Sequence, residues 1–206
     1  MTKFILVRHG ETIWNAAKRF QGQSDINLSE KGRWQAMRTG EHLAGEQIDV
    51  VYASNLIRCI DTAKLILYGR DLDIAVRPEL RELSFGEWEG LTYQEISAKS
   101  PGALERMRDN GFDFRPPGGE TWSEMRDRVV GVYEEIKRDH ANKTVLVVAH
   151  INPVRVMLGE VLGSNLKTAF RLPLKNCSIN ILEVGPKRTR LVVYNDTCHL
   201  EDWHEG

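Results

Sequence analysis

The sequence predicts an α/β protein: a three-layer α/β/α sandwich around a mainly parallel central sheet, with one antiparallel edge. Three observations lead there. Short apolar or β-branched runs alternate along the chain with stretches of helical periodicity. Two of those runs, Phe4-Ile5-Leu6-Val7 and Val145-Leu146-Val147-Val148, are continuous rather than alternating. That is the pattern of central strands covered on both faces. The last two runs are separated only by Gly185-Pro186-Lys187 and its neighbours, as in an antiparallel hairpin.

Strands are expected over 3–7, 50–53, 73–77, 144–149, 178–184 and 190–194. A helix over 29–45 follows from Ala36, Met37, Gly40, Leu43 and Ala44. After the second strand, Leu56, Ile60, Ala63 and Leu67 recur at helical spacing. The stretch 84–119 differs. It carries scattered aromatics (Phe85, Trp88, Tyr93, Phe112, Phe114), a capping box at Thr92-x-x-Glu95, and a Pro116-Pro117-Gly118-Gly119 ending. It reads as a partly helical, cap-like insertion over one end of the sheet. A second capping box, Thr121-x-x-Glu124, opens a long helix with the stripe Trp122, Met125, Val129, Val132, Tyr133 and Ile136. That stripe is expected to be core. Val154, Met157, Leu158, Val161 and Leu162 mark a further helix, with Asn152 as the expected N-cap and Pro153 at the first helical position.

The 206 residues suit one domain spanning 1–206, with no repeat and no linker. Apolar residues make up 41% and charged residues 28%, an ordinary soluble balance. A net charge of −1 gives no broad field for nucleic acid or an anionic membrane, and neither is expected as a partner. No apolar run approaches the ~20 residues of a membrane span. The N-terminus reaches Arg8 and His9 too soon for a signal peptide, so a cytoplasmic location is expected. Cys59, Cys177 and Cys198 contain no CxxC pair, which argues against a disulfide framework or a thiolate zinc site. Buried reduced thiols are expected. His42, His140 and His204 are expected at the surface; His199 is left undecided.

Open α/β sheets bind ligands at the carboxyl ends of their strands. The first strand ends Val7-Arg8-His9-Gly10. The second ends Ala53-Ser54, with Arg58 in the first turn of the next helix. The 144–149 strand ends Ala149-His150. Two histidines and two arginines should therefore meet on one edge, beside two helix N-termini. Arginines give bidentate, charge-assisted bonds to phosphate, and helix N-termini offer free N–H groups. A neutral imidazole can attack phosphorus, splitting one hard displacement into two. The second histidine can donate to the oxygens on which charge develops. A leaving alkoxide needs a proton. In Glu79-Leu80-Arg81-Glu82, Glu82 is the favoured donor, but nothing in the residues alone sets it above Glu79.

Leu6-Val7-Arg8-His9-Gly10-Glu11-Thr12, followed by Trp14-Asn15, resembles the signature of the histidine phosphatase superfamily, the phosphoglycerate-mutase-like enzymes. The similarity continues through Arg19, Gln21-Gly22 and Asp25, through Leu28-Ser29-Glu30-Lys31-Gly32, and through Ser54-Asn55-Leu56-Ile57-Arg58. It extends to Leu80-Arg81-Glu82-Leu83, Pro117-Gly118-Gly119-Glu120-Thr121 and Asn195-Asp196-Thr197-Cys198-His199-Leu200. The resemblance implies a metal-independent phosphomonoesterase with no cofactor, acting on a small phosphorylated metabolite under the 84–119 insertion. It makes His9 the nucleophile and sets Arg8, Arg58 and His150 on the phosphoryl group. It makes Glu82 the acid/base, and it lines the site with Asn15, Gln21 and Gly22. One departure is His150-Ile151-Asn152-Pro153, where the family usually has two glycines after the histidine. Ile151 should narrow the pocket there, and Pro153 removes one N–H. Two alternatives stand beside hydrolysis: a cofactor-dependent phosphoglycerate mutase, and a non-catalytic module that binds phosphometabolites. A homodimer is left open.

Overall fold

The computed structural model describes residues 1–109, 113–186 and 188–203. Phe112, Lys187 and His204 lie outside the described residues.

The chain alternates as predicted. Strand β1 (Thr2–Arg8) is followed by a single turn, α1 (Ile13–Ala16), and by α2 (Glu30–His42). Then come β2 (Val50–Ala53), α3 (Ile57–Ile66) and β3 (Ile74–Val76). Helices α4 (Tyr93–Lys99) and α5 (Ala103–Asp109) occupy the 84–119 stretch. The chain continues with α6 (Trp122–Asp139), β4 (Thr144–Ala149), α7 (Ile151–Val161), α8 (Leu166–Ala169), β5 (Ile179–Val184) and β6 (Thr189–Asp196). The sheet order is β3-β2-β4-β1-β5-β6. β1, β2, β3 and β4 run parallel, while β5 is antiparallel to both β1 and β6. The antiparallel edge is therefore where the sequence places it.

Alternating side chains send β1 into two cores. Phe4 and Leu6 pack with Met125, Val129 and Tyr133 of α6 and with Val154 and Met157 of α7. Ile5 and Val7 pack on the other face with Leu43, Cys59, Ala63 and Ile66, from α2 and α3 and their ends. The same division holds for β4, whose Val145 and Val147 face one layer and Leu146 and Val148 the other. Continuous apolar runs thus mark strands with helices on both sides. α2 and α3 approach closely at Gly40, where a Cβ would meet the carbonyl of Ile66 at 2.7 Å. Trp88, Ile96, Ala103 and Leu104 form a third, smaller cluster within 84–119. Among the described residues, no helix is long and apolar enough to cross a membrane.

Several local expectations change. Met37 and Ala44 are exposed, and Gly32, Gln35 and Thr39 complete the buried side of α2 instead. Leu162 is exposed just beyond α7. Asn152 is not the N-cap of α7: His150, the first residue after β4, takes that position. The turn out of the strand is tighter than the side-chain preference suggests. Pro153 then falls in the first turn, where an N–H has no intrahelical partner to lose. Cys59 and Cys177 are buried free thiols, whereas Cys198 is exposed. His42 is at the surface. His140 is half-buried, its Nε2 2.8 Å from the Tyr52 hydroxyl. His199 is buried, with Nε2 3.0 Å from the Thr39 hydroxyl. Both capping boxes are present, at Thr92 with Glu95 and Thr121 with Glu124.

Candidate active site

β1 and β4 pair directly, with Arg8 opposite Ala149, so the residues that leave these strands emerge side by side. The His9 amide still donates to Ala149 O at 2.9 Å. The two imidazoles lie 5.1 Å apart between ring centroids, edge toward face. A cavity of about 390 Å³ opens at this end of the sheet. Arg8, His9, Arg58 and Glu82 all line it, and so do Asn15, Gln21, Gly22 and Ile151.

His9 is 3% exposed. Its Nδ1 lies 2.7 Å from Gly10 O. A carbonyl can only accept, so the proton belongs on Nδ1 and Nε2 keeps its lone pair. Burial, then Arg58, then Arg8 push the imidazole well below its ordinary value, so it is neutral near pH 7. A neutral imidazole with a defined free nitrogen can serve as a nucleophile.

Two guanidiniums flank it. Arg8 donates through Nη1 to Leu174 O at 2.6 Å, while its Nε is buried with no partner. Burial lowers its pKa to about 10, so it stays charged. Arg58 is fully buried. It donates through Nη1 to Ser24 O and through Nη2 to Gly22 O, each at 2.7 Å, and through Nε to His150 Nδ1 at 3.2 Å. Neither arginine forms an ion pair among the described residues. Gly22 has φ of +52°, and a Cβ there would collide with the Glu89 carboxylate. Glu89 in turn accepts from Gln23 N and from the Ser24 hydroxyl, and this fixes the turn that holds Arg58.

His150 is fully buried and stands behind the cavity wall rather than in it. Its Nδ1 accepts from Arg58, and its Nε2 lies 2.9 Å from the Ser54 hydroxyl. Both ring nitrogens are occupied. Burial and Arg58 hold its pKa well below the ordinary histidine value.

Glu82 is 6% exposed and lines the cavity; Glu79 does not. Burial raises the Glu82 pKa, opposed by the Leu83 amide, which donates to Oε1 at 2.7 Å, and by Arg58 and Arg8. A carboxyl kept protonated above its usual range suits a proton donor. Its loop is gathered by Arg128 of α6. Nη1 of Arg128 donates to Glu79 O and Arg81 O at 2.7 Å each. Nη2 donates to Glu82 O at 2.9 Å and to the Glu120 carboxylate at 2.5 Å.

Asn15 and Gln21 are joined through Thr12, whose hydroxyl donates to Gln21 Oε1 at 2.8 Å and whose amide donates to Asn15 Oδ1 at 3.1 Å. Of the two helix N-termini expected to face an anion, that of α3 is partly taken: Asp25 accepts from the Ile57 amide at 2.6 Å. That of α7 presents Ile151 and Asn152 to the cavity. Sequence reasoning missed Arg128 and Arg155. Arg155 follows Asn152 by one helical turn and bonds to it at 3.2 Å. That i, i+3 relation was the available signal.

The family model for the histidine phosphatase superfamily (branch 1) matches residues 4–197. Phosphoserine phosphatase 1 of Hydrogenobacter thermophilus is 34% identical over 99% of this chain and 97% of its own. A probable phosphoglycerate mutase GpmB of Erwinia tasmaniensis is 37% identical over 87% of this chain and 84% of its own. The solved structure of Bacillus stearothermophilus YhfR superposes with a TM-score of 0.91 at 31% identity, covering 98% of this chain and 100% of that one. With the family model covering nearly the whole chain, and relatives above 30% identity along almost their full length, the chain belongs to the histidine phosphatase superfamily.

Proposed function

We propose that this chain is a phosphomonoesterase that hydrolyses a small phosphorylated metabolite through a phosphohistidine on His9. The observation that carries the reading is the neutral His9, with Nε2 as its free nitrogen, set in the cavity wall beside the unpaired cations Arg8 and Arg58. Buried positive charge without an acidic partner favours an anion, and two guanidiniums match a phosphoryl dianion. In the first step Nε2 of His9 bonds to phosphorus and the ester P–O bond breaks. Glu82 gives its proton to the departing alkoxide. In the second step the Glu82 carboxylate takes a proton from water, whose oxygen bonds to phosphorus as the N–P bond breaks. Inorganic phosphate leaves, and His9 and Glu82 return to their starting states. Arg8 and Arg58 hold the equatorial oxygens throughout. His150, with both nitrogens occupied, fixes Arg58 in this state. It can turn a donor to the phosphoryl group only by giving up Arg58 or Ser54.

Asn15, Gln21 and Gly22 form the wall around the transferred group, and Ile151 narrows it. The 84–119 stretch contributes Phe85 and Met107 to the same cavity. We read it as a cap on a single domain. The charge that a metal would bring is supplied by Arg8 and Arg58, so the reading requires no cation.

A mutase would need the phosphohistidine kept from water while the monophosphate reorients. The short cap favours hydrolysis. The test mixes enzyme with 3-phosphoglycerate and catalytic 2,3-bisphosphoglycerate, following 2-phosphoglycerate and free phosphate together. Phosphate release without interconversion is expected; interconversion much faster than release would overturn the phosphatase reading.

A further inference from the structure

The C-terminal segment lies along α2 and meets it at Trp34, Arg38 and His42, one helical turn after another. The Trp34 and Trp203 rings are 5.1 Å apart between centres, Arg38 pairs with Asp202 at 3.6 Å, and the His42 and His199 rings are 5.1 Å apart. The ion pair is exposed on both sides and adds little. Beside the two histidines stands the thiol of Cys198, in the turn Cys198–Leu200. One nitrogen from each histidine and Sγ of Cys198 all lie within 4.8 Å of one another. None of the three residues lines the active-site cavity. They come from two segments far apart in the chain, so no CxxC spacing marks them in the sequence.

The hydrogen bonds prepare His199 as a ligand. The Thr39 hydroxyl gives its one proton to Gln35 O at 2.8 Å. It can therefore only accept from Nε2 of His199, 3.0 Å away. That puts the ring proton on Nε2 and a lone pair on Nδ1. Nδ1 is buried and has no hydrogen-bond partner among the described residues. Burial, then His42, hold the ring neutral against the Asp196 carboxylate and the Cys177 carbonyl. An orphaned buried lone pair calls for a donor or a cation. An imidazole oriented by a bond from its other nitrogen is the usual form of a metal-binding histidine.

Two imidazole nitrogens and one thiolate sulfur suit zinc, and not magnesium or calcium. Tetrahedral zinc, with bonds of about 2.0–2.3 Å, spaces its ligand atoms about 3.3–3.8 Å apart. His42 and Cys198 are exposed, and their side chains can turn among rotamers to close the remaining gap. Charge balances as well. Asp196 accepts from the Cys198 amide at 2.9 Å, which sets a carboxylate beside the thiol. That carboxylate raises the pKa of the free thiol; when a divalent cation binds, the S–H proton passes to solvent as the metal–sulfur bond forms. The thiolate and Asp196 then offset the charge of the ion. Arg38, the nearby cation, is held by Glu41 and Asp202. We propose that His42, Cys198 and His199 form a zinc site with water in the fourth position, and that the ion clamps the C-terminal segment to the end of α2. The site is structural and stands apart from the hydrolase reading.

The test adds zinc to the full chain, kept reduced by a phosphine that does not bind the metal. One equivalent should bind per chain. Cobalt in its place should give a thiolate-to-cobalt charge-transfer band and the visible bands of a tetrahedral ion. Zinc at a hundredfold excess over its Kd should raise Tm by about 5 °C. His42→Ala and Cys198→Ser, both at exposed positions, should each weaken zinc binding by about tenfold or more and abolish the rise in Tm. Cys198→Ser should also remove the charge-transfer band. Zinc uptake should persist in His9→Ala, and its loss there would move the ion to the catalytic histidines. No zinc uptake, uptake unchanged in both His42→Ala and Cys198→Ser, or a cobalt spectrum without the thiolate band would equally overturn the site.

Discussion

Nε of Arg58 donates to Nδ1 of His150 across 3.2 Å, and that bond requires a ring unprotonated at Nδ1. His9 is likewise neutral, so two buried imidazoles must stay uncharged in the folded chain. Each has a folded pKa well below 6.5, so the unfolded chain binds more protons below that value. Their stabilising contribution is present above 6.5 and declines as pH falls, by up to about 1.4 kcal/mol per pH unit for each ring. Glu82 acts in the opposite sense. Its raised pKa gives a contribution present below 4.5 and lost as pH rises through the folded value. Urea unfolding between neutral pH and about pH 5 should show net acid destabilisation. The slope should be shallower in His150→Gln, and an equal slope would place the acid sensitivity elsewhere.

Rapid quenching with substrate labelled in the phosphoryl group should trap a label on His9 that is lost in acid and kept in base. His9→Ala should trap none. Label surviving in that variant would move the nucleophile to another residue.

Glu82→Gln should slow alkyl phosphates by about 10²-fold or more while sparing nitrophenyl phosphate, whose phenolate leaves without a proton. The pH profile adds a second readout. Activity on alkyl esters should fall on the acid side as His9 protonates below 6.5. It should fall on the alkaline side as Glu82 loses its proton above 4.5. The alkaline limb should be absent with nitrophenyl phosphate. Equal losses on both ester types would make Glu82 a binding residue.

Arg128→Met removes the bonds that gather the carbonyls of Glu79, Arg81 and Glu82 and leaves the Glu120 carboxylate unpaired. Charge-assisted bonds of this kind are worth about 1.5–3 kcal/mol each, so a loss of roughly 2 kcal/mol in stability is expected. If Arg128 positions Glu82, alkyl phosphates should suffer more than nitrophenyl phosphate. Arg128→Lys should not rescue the ratio, because an ammonium cannot span the same acceptors. Loss of stability with an unchanged alkyl-to-aryl ratio would reduce Arg128 to a structural tie.

Prolonged chelation should leave the rate unchanged, since Arg8 and Arg58 supply the positive charge at phosphorus. Activity that disappears and returns only with added magnesium would require a metal in the mechanism.

The sheet was legible because burial on both faces imposes continuous apolar runs, and Val50–Ala53 and Thr144–Ala149 begin and end where those runs do. The strand-end residues followed directly, because a parallel sheet sends every strand's carboxyl end to one rim. Other features were not legible. Asn152 reads as an N-cap by preference, yet the chain turns two residues earlier, a choice made by how β4 exits the sheet. Glu82 and Glu79 are equivalent in sequence. Only the fold of 78–83 under Arg128 separates the one in the cavity from the one outside it. Arg128 and Arg155 lie on the polar sides of amphipathic helices, where a functional arginine and a solvated one have the same spacing.

The His9 amide is bonded to Ala149 O and the Ser54 amide to Val148 O, both extending the ladder of the innermost strands. Such protons are expected to exchange with solvent only when the sheet opens as a whole. The 84–109 part of the wall instead rests on the small cluster around Trp88 and Ile96, so its amides are expected to exchange through local opening. The strand that carries the nucleophile and the Phe85–Met107 part of the wall therefore rest on different hydrophobic clusters and form two units. Sequence drift in the second unit can retune which alcohol is accepted while the first keeps its geometry. A chain built this way can change its substrate repertoire without having to reinvent its chemistry.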